Sequence, residues 1–200
     1  MLVSAIMPTR GRPQYAQRAI ECFFSQTWPE KELVILDDAD CPSFPIAPAG
    51  VEYHRLNRRL SIGAKRNLCC SRANGNVIIH WDDDDYSVPE RMADQVARLA
   101  ESKCGLTGYH SMLFEDVDTG KRWKYRGHHF YALGTSFCYT RDFWMAHPFP
   151  DKQTGEDGYI TSRVAGILAV DAGELLIATI HNGNTSEKRA NLNTENWVAA

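Results

Sequence analysis

The sequence predicts an α/β fold, with a mostly parallel central sheet, helices on both of its faces, and a smaller α+β half after it. Three observations carry that expectation. Short apolar, β-branched runs alternate with amphipathic stretches as far as Asp85; the runs end in polar or acidic clusters; and from Phe114 onward polar, aromatic segments around a turn replace the alternation.

Leu2 to Met7 opens the sheet and breaks at Pro8 into the turn Thr9-Arg10-Gly11-Arg12. Pro13 suits the first turn of a helix that places Ala16, Ala19, Ile20, Phe23 and Phe24 on one core face and stops before Trp28-Pro29. Glu32 to Leu36 is a second strand, closed by Asp37-Asp38 ahead of a proline-rich loop from Cys41 to Gly50. Val51 to Leu56 makes a third, and Ser61 caps a helix from Ile62 to about Arg72. After the turn Asn74-Gly75-Asn76, Val77 to Ile79 forms a buried strand leading into His80-Trp81 and four consecutive aspartates, Asp82 to Asp85. Right-handed parallel crossovers bring such strand ends to one edge, where open α/β sheets bind ligands.

Pro89 begins the next helix, with Met92, Val96, Leu99 and Ala100 buried, and Gly105 to Leu113 resumes as a strand. Asp118-Thr119-Gly120-Lys121 is the turn of a hairpin. Gly155-Glu156-Asp157-Gly158 precedes a helix from Tyr159 to Ala165, which sets two carboxylates at a helix start, where the dipole favours their ionised form. Leu175 to Ile180 is the last strand, ending at His181-Asn182-Gly183-Asn184, and the polar tail beyond reads as mobile.

Two hundred residues with 44% hydrophobic content and a net charge of −3 describe one globular domain with a continuous core. Mild acidity argues against broad nucleic-acid binding, although Arg55, Arg58, Arg59, Lys65, Arg66 and Arg72 form a local basic cluster. Six cysteines without a C-x-x-C spacing read as reduced thiols, and the short apolar start and lack of a membrane-length run predict a cytoplasmic protein. Four clustered aspartates repel one another unless a cation such as a hard divalent metal offsets them; the competing reading is a solvated acidic loop. A calcium loop of the EF-hand type does not fit, because counting from Asp82 its glycine and glutamate positions hold Ser87 and Ala93.

The pieces VSAIMPTRGRP, SQTWPEKELVILDD, GAKRN at Gly63 to Asn67, NGNVIIHWDDDDY and GED at Gly155 to Asp157 come in the order and spacing of a known family. From Val3 to about Ser186 the chain resembles the family 2 glycosyltransferases of the GT-A fold. The resemblance implies a donor half over 1–103, an acceptor and catalytic half over 104–186 and a tail over 187–200. It implies inverting transfer of a sugar from a nucleotide-activated donor, usually a UDP-sugar, to an acceptor hydroxyl. Pro8, Thr9, Arg10 and Asp38, with Asp37 beside them, would hold base and ribose. Gly63, Lys65 and Arg66 would meet the base or phosphates, the competing reading of the Lys65-Arg66 pair being a solvated helix face. The family's D-x-D motif falls on Asp82, Asp83 and Asp84, the first facing the ribose and the last binding Mn2+ or Mg2+, with Asp82 and His181 as further ligands. Asp157 would be the general base, and Glu156 would position the acceptor or the helix. His128 and His129 stay unassigned, and Trp123, Tyr125, Phe130, Tyr131, Phe137, Tyr139 and Trp144 read mostly as core, with stacking on a sugar or a base at a cleft rim as the alternative.

The family's Gly-Ser or Asn-Ser turn after the second strand is Ala39-Asp40-Cys41-Pro42 here, which leaves the donor-base contacts open. The acceptor is a glycan, a lipid-linked sugar, a protein or a modified nucleic acid with a hydroxylated base. Two other classes compete: a nucleotidyltransferase, which normally has a glycine-rich phosphate loop where PTRGRP has one glycine, and a noncatalytic nucleotide- or sugar-binding module, which would lack Asp84 and Asp157. The sequence does not decide the oligomeric state.

Overall fold

The computed structural model of the protein describes residues 1–185 and 195–200. Its strands are β1 (Val3–Thr9), β2 (Lys31–Asp37), β3 (Glu52–Arg55), β4 (Val77–His80), β5 (Tyr86–Ser87), β6 (Leu106–Asp116), β7 (Arg122–Arg126), β8 (Cys138–Thr140), β9 (Leu168–Asp171), β10 (Leu176–Ile180) and β11 (Trp197–Ala199). The helices are α1 (Pro13–Phe24), α2 (Ile62–Arg72), α3 (Arg91–Ser102), α4 (Arg141–Ala146) and α5 (Glu156–Thr161), with a 3₁₀ turn at Gly134–Ser136.

All strands join one sheet with the path β11-β7-β6-β8-β4-β1-β2-β3; β9 and β10 also pair with β6, and β5 with β10. The strands of the first half, β3, β2, β1 and β4, are mutually parallel, as the alternation predicted. β1 lies at their centre, and all seven of its residues are buried because helices cover both faces. Ala5 and Met7 point into a core shared with α1 and α3, whereas Ile6 points into one shared with Cys69 and Cys70 of α2, which makes three layers. The register pairs Thr9 with Asp37 and Ile6 with His80, so the polar ends of β1, β2 and β4 lie side by side.

Antiparallel β8 separates β4 from β6, and β6 organises the second half by pairing with β7, β8, β9 and β10. The hairpin at Asp118 to Lys121 is the β6–β7 connection. No helix among the described residues is long and apolar enough to cross a membrane.

Several expectations need correction. Phe24, placed in the core, is 50% exposed because it is the last residue of α1, beyond the covered turns. α3 begins at Arg91 rather than Pro89, and its buried face includes Arg91 and Gln95 while Ala100 is exposed. α5 starts at Glu156 rather than Tyr159 and ends at Thr161, because Gly155 takes φ +76° and turns the chain directly into the helix. Phe130 stands 71% exposed, whereas Phe137 and Tyr139 are core. Of the tail expected to be mobile, Trp197–Ala199 forms a strand antiparallel to β7, with Trp197 packed edge-on against Phe114 at 4.8 Å. The stretch 186–194, which holds the rest of that tail and the proposed end of the family resemblance, lies outside the described residues.

Candidate active site

The four aspartates leave β4 at a fixed point. Trp81 is buried and donates its indole N–H to the Ala19 carbonyl at 2.9 Å, and its backbone N–H continues the ladder to Ile6 at 3.0 Å. Beyond it the acids divide. Asp83 turns inward, 1% exposed, and accepts hydrogen bonds from Thr9 Oγ1 and Arg12 Nη2, both at 2.6 Å. Asp84 Oδ2 accepts from Arg12 Nη1 at 2.8 Å, His181 Nε2 at 3.1 Å and Asn184 Nδ2 at 3.0 Å. Asp85 accepts from the Thr135 hydroxyl and from the Thr179 backbone N–H. Asp82 is the most open of the four and faces Arg66 at 3.5 Å.

Three of these carboxylates are buried, so the stretch is not a solvated loop. Burial pushes the Asp83 carboxyl up to about 7, with Arg12 opposing the shift and Asp84 adding to it. Oxygens of Asp82, Asp84 and Asp85 lie within 4.8 Å of one another. An all-carboxylate donor set of that size fits a hard divalent ion such as Mg2+ or Mn2+ and not a soft one.

The residues expected from the family resemblance to meet a nucleotide behave less uniformly. Lys65, on α2, is buried and pairs with Asp38 Oδ1 at 2.9 Å and with the Thr9 carbonyl at 3.3 Å; Asp38 Oδ2 accepts from the Leu60 N–H at 2.8 Å. Asp37 is fully buried, and its oxygens accept from the Ala39 N–H at 3.0 Å, the Ser43 N–H at 2.6 Å and the Tyr53 hydroxyl at 2.7 Å, which ties it to the following loop. Arg10 reaches Asp40 at 3.5 Å, and Asp40 with Arg55, Arg58 and Arg59 lines a separate hollow of about 250 Å³. Gly63 is needed for packing: a Cβ there would meet the Pro150 carbonyl oxygen at 2.0 Å.

Across the cleft, α5 presents the second acid pair. Glu156 is buried and forms an ion pair with Arg66, which also lies over the Phe149 ring at 5.8 Å. Burial raises the Glu156 carboxyl, Arg66 opposes this, and Asp157 adds to it. Asp157 Oδ1 accepts from the Gly158 N–H at 2.7 Å and Oδ2 from the Tyr131 hydroxyl at 3.2 Å. Its closeness to the 3₁₀ turn depends on Gly134, where a Cβ would lie 2.6 Å from Asp157 Oδ2. His80 holds that turn from below: burial keeps its imidazole neutral, so Nδ1–H donates to the Gly134 carbonyl at 2.6 Å and Nε2 accepts from the Tyr139 hydroxyl at 3.0 Å.

Pro8, Arg66, Asp82, Asp83, Asp84, Glu156 and Asp157 thus line a single cleft of about 260 Å³. Thr9, Asp38, Lys65 and His181 support the wall that carries the aspartates through the bonds above, whereas Arg10, Asp37 and Gly63 do not line the cleft. His181 Nδ1 accepts from the Gly183 N–H at 3.0 Å, so its proton sits on Nε2 and is given to Asp84; the ring stacks on Tyr15 at 4.3 Å. His128 and His129 are exposed, stacked on each other at 4.4 Å, and absent from the cleft lining. Sequence reasoning gave no site role to Arg12, Gly134 or Thr135, counted Asp85 in the acidic run without naming it a ligand, and placed Tyr131 among the mostly core aromatics. Arg12 stood inside PTRGRP and Asp85 ended the acidic run, but the other three carry no local signal.

A family model described as glycosyl transferase family 2 matches residues 4–162. EpsE of Bacillus subtilis is 32% identical over 111 residues, which are 50% of this chain and 39% of EpsE. Among solved structures, S. aureus TarS 1-349 in complex with UDP-GlcNAc superimposes with a TM-score of 0.72 at 19% identity, covering 92% of this chain and 60% of that one. The mannosyltransferase PcManGT from Pyrobaculum calidifontis, in complex with GDP-Man and Mn2+, gives 0.69 at 15% identity over 94% of this chain and 57% of its own. At these identities the structural likeness establishes the fold, which is the GT-A fold.

Proposed function

The chain belongs to glycosyl transferase family 2, and on that premise we propose that it moves a sugar from a nucleoside-diphosphate sugar, UDP-linked in our reading, to an acceptor hydroxyl with inversion at the anomeric carbon. One observation carries the proposal. Two acid groups face each other across a single cleft, Asp82 to Asp84 on one wall and Glu156 with Asp157 on the other, and Arg66 contacts both. TarS and PcManGT in complex with nucleotide sugars support the donor class, and the Mn2+ in PcManGT supports the ion.

In this reading Asp82, Asp84 and Asp85 would hold the divalent ion, with Thr135, Thr179 and His181 orienting two of the three carboxylates. When bound, the ion offsets the charge that gathers on the diphosphate as the glycosidic bond breaks. Asp157, fixed by Gly158 and Tyr131, takes the proton of the acceptor hydroxyl. The acceptor oxygen then forms its bond to the anomeric carbon while the carbon–oxygen bond to the diphosphate breaks, and the nucleoside diphosphate leaves with that electron pair. Glu156, paired to Arg66, keeps the first turn of α5 against the cleft, so that Asp157 is presented from a packed element.

The test is a thermal-shift panel of nucleoside diphosphates and their sugars, each with Mn2+ or with chelator, on the wild type and on Asp84→Asn. Native-state ligands raise Tm by mass action, so a UDP or UDP-sugar shift that needs Mn2+ and is lost in Asp84→Asn is expected. If no nucleotide shifts the transition under any condition, the donor reading fails.

A further inference from the structure

We propose that Arg12 is a built-in counter-cation of the acidic wall, one that yields the carboxylates to a divalent ion only when a nucleoside diphosphate gives its guanidinium a new partner. The inference rests on the donor reading above and concerns how ion and nucleotide bind rather than the transfer step.

Arg12 holds two acids at once, with Nη2 on Asp83 at 2.6 Å and Nη1 on Asp84 at 2.8 Å, and Nη1 also reaches the Gly183 carbonyl at 3.2 Å. Its aim is set by the backbone. Gly11 takes φ +64°, a left-handed turn that favours glycine, and Pro13 at the first position of α1 fixes the chain on the other side. The fork therefore points back over the end of β1 into the acids.

An ion drawing on Asp84 must share a carboxylate that already accepts three N–H groups at Oδ2, from Arg12, His181 and Asn184. His181 and Asn184 are neutral donors and can remain beside a metal-bound carboxylate, as outer partners of metal ligands commonly do. A guanidinium is different. It brings a second positive charge into a site shielded from water, where like charges repel with little screening. Ion and Arg12 thus compete for Asp84.

Arg12 also has room to move. It lines the main cleft and, on its other side, an outer hollow of about 340 Å³ bounded by Tyr15 and His181, so the guanidinium can leave the acids without disturbing the core. The partner it finds in the cleft is chemically defined. A diphosphate offers paired anionic oxygens that match the parallel N–H groups of a guanidinium. A nucleoside diphosphate then frees Asp84 for the ion, the ion further favours the diphosphate, and each ligand raises the other's affinity.

The experiment titrates Mn2+ without nucleotide into wild type, Arg12→Gln and Arg12→Lys, reading free ion by electron paramagnetic resonance, and repeats the titrations with saturating UDP; Asp84→Asn is the control that loses the site. Without nucleotide, Arg12→Gln is expected to bind Mn2+ at least about tenfold more tightly than wild type, the scale of an ordinary coupling between sites. Arg12→Lys, which keeps the charge and cannot fork to both acids, falls between them. The gain in Mn2+ affinity on adding UDP shrinks in both variants. Equal or weaker Mn2+ binding by Arg12→Gln overturns the proposal. If that variant does not fold, the same comparison with Arg12→Lys decides, and an ion affinity matching wild type overturns it. Mn2+ binding that responds to Arg12 while UDP never binds would keep the competition between Arg12 and the ion but overturn its release by a nucleoside diphosphate, and would remove the donor reading. UDP binding with ion that ignores Arg12 would overturn the inference and leave the donor reading in place.

Discussion

Replacing Gly134 with alanine tests whether Asp157 acts as the base. Gly134 does not have a positive φ, so alanine fits its backbone and the perturbation is steric. The new methyl would lie 2.6 Å from Asp157 Oδ2, 2.7 Å from its Cβ and 2.9 Å from its Cγ. Ordinary carbon contacts need about 3.5 Å, so Asp157 must retreat by roughly 0.8 Å. Because the clash includes Asp157 Cβ, rotating the carboxylate does not relieve it, and the first turn of α5 has to shift. The bond from Tyr131, already 3.2 Å, is lost. A displacement of about 1 Å in a positioning group costs roughly 100-fold in rate, equivalent to about 2.7 kcal/mol of barrier. The overpacking itself costs about 1–3 kcal/mol of stability. The assay measures nucleoside diphosphate released from the nucleotide sugar at saturating donor, beside UDP affinity in the presence of Mn2+. Turnover is expected to fall about 100-fold while UDP affinity stays within about threefold, because the acids proposed to hold the ion lie on the opposite wall. Unchanged turnover, or a loss of UDP affinity as large as the loss of rate, would refute the placement of Asp157.

Other outcomes follow from the same geometry. Tyr53→Phe removes a hydroxyl donor from buried Asp37 and is expected to lower stability by about 1–2 kcal/mol in urea with UDP affinity unchanged; coincident urea midpoints would contradict the role given to Asp37. Arg91 is a buried cation bonded to the His80 and Thr135 carbonyls, the Ser87 hydroxyl and the Gln95 amide oxygen, so Arg91→Met leaves several buried acceptors unpaired and is expected to cost on the order of 3 kcal/mol. Wild-type stability in that variant would show that these bonds contribute nothing net. Folding raises the Asp83 carboxyl from an ordinary value of about 3.9 to about 7. Between those values the native state keeps a proton that the unfolded chain has released, so this group's contribution is full at the acid end and declines as pH rises through the window. Urea midpoints of the ion-free protein are expected to fall between about pH 5 and 7 and to flatten in Asp83→Asn; a wild-type slope that persists in the variant would assign the effect to another group.

The parallel first half was legible because its physics is local. β-branched runs, the Ser61 cap, Pro13 and the acids at strand ends declare themselves within a few residues, and a right-handed crossover leaves one edge for those ends to share. Where β-strands pair by long connections, local signals fade: the insertion of β8 between β4 and β6, and β11 on β7, were not foreseen, and the start of α5 moved three residues, from Tyr159 to Glu156, at the Gly155 turn.

By itself the sequence determined the fold class, the edge that carries the site and the residue types gathered there, because periodicity and strand-end chemistry depend on neighbours in the chain. Only the tertiary structure decided which acids face the cleft, which are tied into the protein, and what holds them. Asp83 and Asp37 turn inward while Asp82, Asp84 and Asp85 converge. Arg12 meets residues 71 and 72 positions away, Tyr131 meets Asp157, and Gly134 matters only because another segment packs onto it. Such contacts are set by how the layers of the sheet close, and a residue's own neighbours along the chain carry no trace of them.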